Sequence, residues 1–253
     1  MVYSSPMAKI PIITVASPKG GVGKTTLAYE LAALWRGVLV DFDWDLGGAT
    51  GMWGDDPEHR VTSAMLRGLL MGDGPSPRPL RMAGRPDLVP SDSRLTELRV
   101  DPGRVVERLT TWAAIWDRPV VVDTHPGTGA LSDGAMAAAD IIAIPLVLGR
   151  RELEALGGFL RRMRGTELPM VIVPMRWRGM ASERHLLEVL MRWTRASGIP
   201  VAPPIADYPW IHRRMRRGAL VLVENPGAEV AKAAENYRAV ARTIVEQLRK
   251  ETG

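Results

Sequence analysis

The sequence predicts an α/β fold of the doubly wound type, with a mostly parallel sheet and helices on both faces. Short apolar runs alternate with helical patterns of ten or more residues, which implies crossover connections between parallel strands. The strand-like runs, such as IPIITVA and VVVD, are continuously apolar, as expected for strands covered on both faces. With 253 residues, 46% of them hydrophobic and 24% charged, the chain has the composition of a globular protein.

Seven runs are predicted as strands and six longer segments as helices. The strands are 10–16, 38–42, 88–89, 120–123, 140–148, 170–173 and, more weakly, 201–205. The helices, in which apolar residues recur every three or four positions, are 25–35, 101–116, 129–139, 151–164, 181–197 and 227–250. We expect residues 1–9 to be an N-terminal extension, residues 10–250 a single domain, and the Gly- and Pro-rich segment 72–86 an exposed loop.

Composition excludes several classes of protein. Cysteine is absent, so disulfides, thiolate metal sites, iron–sulfur clusters and a cysteine nucleophile are excluded. The longest apolar stretch, 135–148, is interrupted by Asp140 and is shorter than the roughly 20 residues of a membrane-spanning helix. The first nine residues lack a basic start followed by an apolar run, so no secretory signal is expected. We therefore expect a cytoplasmic protein without a membrane partner.

Positive charge is concentrated in one third of the chain. The whole sequence has 33 basic and 28 acidic residues, a net charge of +5. Segment 150–217 contains 14 arginines and six acidic residues, a net charge of +8, which leaves −3 for the rest. This segregation indicates a polyanionic partner, either nucleic acid or an acidic membrane surface. The alternative is a solvated surface in a sequence that prefers arginine.

A glycine-rich segment, KGGVGKTT at 19–26, lies between the first predicted strand and the first helix. This is the context of a phosphate-binding loop, in which glycines let backbone N–H groups surround phosphate oxygens at a helix N-terminus. Lys24 is placed to reach the β- and γ-phosphates, and the Thr25 hydroxyl to bind Mg²⁺. The segment departs from the general pattern because Pro18 occupies the first glycine position and Lys19 precedes two glycines.

KGGVGKTT resembles the deviant Walker A motif of the ParA/MinD superfamily of ATPases. The resemblance implies a P-loop NTPase fold, ATP and Mg²⁺ as cofactors, and an ATP-bound homodimer in which Lys19 reaches the nucleotide of the partner subunit. It implies that the nucleotide is bound by Lys19, Gly20, Gly21, Val22, Gly23, Lys24, Thr25 and Thr26.

Three aspartates follow predicted strands beside this loop, where ligands bind in open parallel sheets. Asp41 and Asp43 end the second strand, and Asp123 ends VVVD, which resembles a Walker B strand. The resemblance implies that Asp43 positions the attacking water, with Lys19 and Lys24 as the other catalytic residues. It places Asp41 and Asp123 with Thr25 around Mg²⁺. The alternative for Asp41 and Asp43 is a turn or helix-capping role.

Two positions depart from the family pattern. His125 follows the Walker B strand and could sense the γ-phosphate or titrate near neutral pH, with a loop histidine of no role as the alternative. VPMR at 173–176 stands where the family often has an asparagine that recognises adenine, so ATP as the nucleotide is implied by the resemblance alone, and Arg176 is a nucleotide-binding candidate. Elsewhere the resemblance is closer, as in AADIIAIP at 138–145, and it extends from about residue 10 to 248.

The densest basic cluster, HRRMRR, lies at 212–217. Arginines suit phosphate contacts, and each neutralised phosphate releases counterions. The resemblance to ParA (Soj-type) partition ATPases therefore implies binding of nonspecific double-stranded DNA by the ATP-bound dimer, and association with the nucleoid. The implied DNA contacts are Arg213, Arg214, Arg216 and Arg217. A ParB-like centromere-binding protein would stimulate slow hydrolysis and release the DNA. A solvated arginine surface remains the alternative.

Two other functions are compatible with the phosphate loop. One is a MinD-like positioning ATPase at a membrane, but only five residues follow Leu248, too few for an added membrane-targeting helix. The other is a P-loop ligase that forms an amide or a ring at the expense of ATP. Against the ligase, we find no second constellation of catalytic residues.

Overall fold

The computed structural model describes residues 10–45, 48–54, 65, 68–70, 76–211 and 218–252. Six strands form one all-parallel sheet in the order β3-β2-β4-β1-β5-β6. They are β1 Ile12–Val15, β2 Val38–Phe42, β3 Asp87–Val89, β4 Val120–Thr124, β5 Ile141–Val147 and β6 Met170–Met175. The order reverses at β1, so loops leaving adjacent central strands open a crevice at their carboxyl ends.

Helices connect these strands. They are α1 Lys24–Leu34, α2 Ala49–Trp53, α3 Pro102–Trp116, α4 Ala130–Ala138, α5 Arg150–Arg162, α6 Ala181–Arg195 and α7 Ala228–Thr252. Two short 3₁₀ helices span Ser93–Thr96 and Leu220–Leu222. None of the helices in the described ranges combines the length and apolarity that crossing a bilayer requires.

Successive side chains of each strand enter cores on opposite faces of the sheet. Ile13 and Val15 of β1 pack with α1 and α7, whereas Ile12 packs with α3 and α4. Ile142 and Ile144 of β5 contribute to a third core, under α5 and α6. Both faces of the sheet are therefore covered, and the predicted doubly wound fold is confirmed.

Two short elements differ from the sequence prediction. Helix α2 was not predicted, because five residues are too few to show helical periodicity. The weak strand at 201–205 is reduced to single pairings along β6, in which Ala202 N–H donates to Ile172 O and Ile205 N–H to Pro174 O. Pro203 and Pro204 lie between these two bonds and have no N–H, so a continuous ladder cannot form.

The predicted exposed loop is described from residue 76 onwards. It is exposed at 81–84, but Pro77 and Pro86 are buried. Their carbonyls accept hydrogen bonds from the indoles of Trp116 and Trp53, at 3.0 and 2.8 Å. This part of the loop therefore packs on the domain at both ends and exposes its middle.

A buried glutamate ties the helix of the phosphate loop to the C-terminal part of the chain. Glu30 of α1 is 1% exposed, and its carboxylate accepts hydrogen bonds from the backbone N–H groups of Leu220 and Val221, at 2.9 and 3.1 Å. Leu220 and Val221 are themselves buried. Without an acceptor here, both amides would be desolvated and unpaired.

We expect Glu30→Ala to lower the free energy of unfolding by about 3 kcal/mol, because two buried N–H groups lose a charged acceptor. Chemical denaturation, followed by circular dichroism, measures this change. Glu246→Ala, an exposed glutamate on α7, is the matched control and should change stability by less than about 0.5 kcal/mol. Equal effects of the two substitutions would contradict the anchoring role of Glu30.

Candidate nucleotide-binding site

The segment between β1 and α1 has the backbone of an anion-binding loop. Gly21 and Gly23 have φ angles of 70° and 96°, the left-handed region that glycine adopts without strain. A Cβ on Gly23 would also lie 2.9 Å from the terminal methyl group of Met175, which would have to shift to accommodate it. Lys24 is the first residue of α1. The loop therefore places the positive end of the helix at the sheet crevice.

The two lysines of the loop have different environments. Lys24 is 5% exposed, and its ammonium donates a hydrogen bond to the carbonyl of Lys19 at 3.2 Å. Burial lowers the pKa of Lys24, and the nearby carboxylates of Asp123 and Asp43 oppose that shift. Lys19 has an exposed side chain. The Lys24 ammonium is thus buried inside the site, whereas the Lys19 side chain is exposed to solvent.

Asp123 and Asp41 are the two fully buried acids of the site, and they differ in their partners. Neither carboxylate oxygen of Asp123 has a hydrogen-bond partner in the described part of the chain. Burial raises its pKa well above the usual range, and the carboxylates of Asp41 and Asp43 raise it further. The Thr25 hydroxyl and Lys24 counteract this shift; Thr25 is close enough to do so without meeting strict hydrogen-bond geometry.

These residues fit a magnesium ion. Buried oxygens without partners are costly, and a divalent cation would compensate for the buried charge. A carboxylate and a hydroxyl are the hard oxygen ligands that Mg²⁺ prefers. Asp123 and Thr25 are the residues that would hold the ion, and their role as ligands stays a prediction.

Asp41, which the resemblance places near Mg²⁺, forms hydrogen bonds within the protein. One of its oxygens accepts a hydrogen bond from the Asp43 N–H at 2.9 Å, and the other accepts two from the N–H and hydroxyl of Thr50, both at 2.6 Å. Burial raises its pKa to about 7, although these hydrogen bonds favour the charged form. Asp41 thus anchors the start of α2, which resembles the helix-capping role given above as the alternative for this residue. Its place in the Mg²⁺ shell stays a prediction.

Thr50 was not identified from the sequence. Its hydroxyl also accepts a hydrogen bond from the Ser91 N–H at 2.7 Å, so it joins α2 to the segment after β3. No local pattern marks this residue, because its partners are 9 and 41 positions away.

Asp43 lies at the mouth of the site. It is 8% exposed, and its carboxylate accepts a hydrogen bond from the Asp45 N–H at 3.3 Å. Burial raises its pKa, whereas that hydrogen bond, His125 and Lys24 lower it. A partly desolvated carboxylate with an open side is suited to orient a water molecule.

The loops that follow β2 and β4 are joined by an aromatic stack. The rings of Trp44 and His125 are 4.1 Å apart and almost parallel, at 9°. His125 Nε2 also lies 3.5 Å from a carboxylate oxygen of Asp45. The possible ligand atoms of Asp43, Asp45 and His125 all lie within 4.8 Å of one another. His125 is therefore a structural contact between the two loops, a role that its unusual position in the sequence did not reveal.

Arg176 lies beside the phosphate loop, as its candidate role requires. It lines a small cavity of about 30 Å³ together with Gly23, Thr26 and Tyr208. Its own φ is 56°, an uncommon backbone conformation for a residue other than glycine. The predicted DNA contacts at 213, 214, 216 and 217 lie outside the described residues.

We expect Asp123→Asn to stabilise the protein free of nucleotide and Mg²⁺, and to do so more at pH 8 than at pH 5. Because the folded pKa of Asp123 is raised, the folded protein binds more protons than the unfolded chain. Its stability therefore falls as pH rises from about 4 towards the folded pKa. Removing this ionisation should raise Tm at pH 8 by about 3 °C.

Thermal melting at the two pH values measures the effect of Asp123→Asn. Asp133→Asn, an exposed aspartate on α4, is the control and should show no such pH dependence. A larger gain at pH 5 than at pH 8 would contradict the raised pKa of Asp123.

Comparison with known proteins agrees with this geometry. Residues 13–221 match the family model described as the CobQ/CobB/MinD/ParA nucleotide binding domain. The chain is 33% identical over 156 residues to the chromosome partitioning protein ParA of Myxococcus xanthus, covering 57% of this chain and 55% of that protein. It is 30% identical over 176 residues to ParA of Caulobacter vibrioides, covering 62% and 65%. The matched region thus covers between half and two thirds of the length of these relatives.

Solved structures share the fold at lower identity. A plasmid partition protein of Borrelia burgdorferi bound to AMPPNP has a TM-score of 0.71 and 21% identity, with 93% and 99% of the two chains covered. MinD of Pyrococcus furiosus has a TM-score of 0.70 and 20% identity, covering 95% and 99%. Cobyrinic acid a,c-diamide synthase of Mycobacterium smegmatis, bound to ADP and magnesium, has a TM-score of 0.69 and 23% identity, covering 95% and 96%.

The family model covers most of the chain and includes every described residue of the site. The curated relatives indicate the ParA side of the family, whereas the structural neighbours show the shared fold. The chain belongs to the CobQ/CobB/MinD/ParA family of nucleotide-binding domains and is ParA-like.

Proposed function

We propose that this protein is a DNA-partition ATPase that binds Mg²⁺-ATP, dimerises, and is released from DNA by slow hydrolysis. The observation that carries the proposal is the buried cluster of Lys24, Asp43 and Asp123 at the phosphate loop. This cluster combines a phosphate-binding cation, a water-orienting carboxylate and a carboxylate with unpaired oxygens. The sequence identity to chromosome partitioning ParA proteins supports DNA partition as the process that this ATPase serves.

In the proposed reaction a water oxygen attacks the γ-phosphorus in line, and the bond to the β–γ bridging oxygen breaks. Asp43 orients the water and accepts a hydrogen bond from it, for which its raised pKa is favourable. Lys24 stabilises the charge on the transferred phosphoryl group. When bound at Asp123 and Thr25, Mg²⁺ would neutralise charge on the β- and γ-phosphate oxygens.

Lys19 is proposed to act across a dimer interface. Its side chain is exposed at the mouth of the loop, while its carbonyl is held by Lys24. An exposed cation beside the phosphate site is available to a nucleotide bound by a second subunit. ATP would thus hold two copies of the chain together.

DNA binding is proposed for the dimer, through Arg213, Arg214, Arg216 and Arg217. Two subunits would double the number of phosphate contacts, and affinity depends steeply on that number. A ParB-like centromere-binding partner would stimulate hydrolysis and so release the DNA. Before this release, the ATP-bound dimer would associate with the nucleoid in the cytoplasm.

The two alternative functions give different results in simple assays. A MinD-like ATPase would float with anionic liposomes in ATP, and a ligase would consume ATP in proportion to a small acid and an amine. The structural neighbours include both kinds of protein, so the fold does not separate them. Identity to the ParA relatives favours partition.

We expect the protein to sediment with random double-stranded DNA in ATP, but not in ADP or without nucleotide. Binding should weaken by at least about tenfold between 50 and 200 mM salt, since it depends on counterion release. Lys19→Ala and the double variant Arg214→Ala/Arg217→Ala should each lose it, while Lys232→Ala on α7 should not. Equal DNA binding in ATP, in ADP and without nucleotide would refute the proposal that ATP controls DNA binding.

We expect Asp43→Asn to slow ATP hydrolysis by about a hundredfold, because the carboxylate that orients water is lost. Nucleotide binding should remain within about threefold of the original, as Asp43 is not a phosphate ligand in this mechanism. Asp45→Asn, two residues away and exposed, is the control and should change the rate much less. Phosphate release and a fluorescent ATP analogue measure the two quantities. Equal losses for the two variants would count against Asp43 as the water-orienting group.

A further inference from the structure

Helices α5 and α6 carry a groove of mixed apolar and charged lining, far along the chain from the phosphate loop. Its centre is Trp193 of α6, which is 40% exposed. Cavities of about 390 and 360 Å³ flank the indole. Gly157, Arg161 and Trp193 line both of them. We refer to these three residues and the two cavities as the Trp193 groove.

The groove exists because a glycine lies beneath the tryptophan. A Cβ on Gly157 would lie 3.3 Å from the outer edge of the Trp193 ring, and 3.5 Å from the Arg161 guanidinium. The absence of a side chain at 157 lets the indole lie across α5 and leaves space on either side of it. The floor of the larger cavity is apolar and is formed by Leu160, Met163, Leu168, Met170 and Ile199.

Arginine outnumbers glutamate on the surface of the chain segment that carries the groove. Between residues 150 and 195, nine arginines are exposed but only three glutamates. The exposed arginines are Arg150, Arg151, Arg161, Arg162, Arg164, Arg178, Arg184, Arg192 and Arg195. Arg161 and Arg164 line the larger cavity, and neither forms an ion pair with any described residue. The groove thus combines apolar surface around Trp193 with the guanidinium groups of Arg161 and Arg164, and each cavity also has one glutamate in its lining, Glu167 in the larger and Glu154 in the smaller.

We propose that the Trp193 groove binds an acidic amphipathic helix of a partner protein. Two apolar side chains on one face of that helix would enter the cavities on either side of Trp193. Carboxylates flanking them would pair with Arg161 and Arg164. The aromatic ring and the arginines are the residue types that dominate the energetics of protein interfaces. The proposal does not depend on the proposed partition function.

The shape of the surface favours a peptide over DNA. A duplex presents a convex, evenly charged backbone, which contacts arginines on a ridge and leaves apolar cavities empty. Here the Trp193 indole lies between two concave spaces, and Arg161 lines both of them. A helix with apolar residues at one face fills such space and buries the indole.

The test uses the full-length protein and a labelled peptide of about 18 residues. The peptide has leucines at helical i, i+3, i+4 and i+7 spacing, glutamates on the opposite face, and alanines elsewhere. A second peptide carries lysines in place of the glutamates. Fluorescence anisotropy measures binding of each. We expect the acidic peptide to bind, and the lysine peptide to bind at least about tenfold more weakly.

Three variants distinguish the groove from the general charge of this face. Trp193→Ala and Arg161→Glu should each weaken binding by about tenfold or more. Arg162→Glu makes the same charge change one residue along, where the guanidinium lies over Phe159 and lines neither cavity, and should weaken binding less than threefold. Both targeted side chains are exposed, and thermal melting confirms that each variant folds.

Several results would overturn the proposal. They are failure of the acidic peptide to bind, equal binding of the lysine peptide, or equal losses for Arg161→Glu and Arg162→Glu. Displacement of the peptide by random duplex DNA, with DNA binding itself lost in Trp193→Ala, would assign the groove to nucleic acid instead. Self-association without nucleotide that disappears in Trp193→Ala would assign it to a second copy of the chain.

Discussion

The parallel pairing of β2 with β4 sets Asp41 directly opposite Asp123, and the rest of the site follows from this constraint. Two carboxylates side by side in a dry sheet repel each other and lose their hydration. The structure compensates them unequally. Asp41 receives three hydrogen bonds, whereas Asp123 receives none from the described residues and has Lys24 and Thr25 as its nearest favourable groups.

This unequal compensation separates a structural role from a binding role. Asp41 uses its charge to hold α2 through Thr50, and Thr50 extends the link to the segment after β3. Asp123 keeps its oxygens available, at a cost in stability that a bound cation would remove. Asp43, two residues after Asp41, donates its N–H to Asp41, and its carboxylate raises the pKa of Asp123. His125 in turn lowers the pKa of Asp43. A change in charge at the phosphate loop would therefore affect the loops that follow β2 and β4.

Arginine is used in at least two ways on the described surface. Some arginines neutralise local acids, as Arg178 does with Glu183 on α6 and Arg118 with Asp87 on β3. Arg161 and Arg164 at the Trp193 groove form no ion pair with a described residue, so their charge is available to a ligand. The concentration of arginine in the C-terminal half thus reflects surface chemistry, and the sheet and its cores do not depend on it.

The sequence by itself determined the fold class, the phosphate loop and the acids at the strand ends. These depend on local patterns: apolar runs, helical periodicity, and a glycine-rich turn between a strand and a helix. Tertiary structure alone decided what each acid does, since Asp41 and Asp123 both end strands but differ in partners that lie far away in sequence. The same holds for Glu30, Thr50 and the Trp44–His125 stack. Their contacts arise only when separate strand ends and helices are brought together, and no local pattern encodes such a meeting.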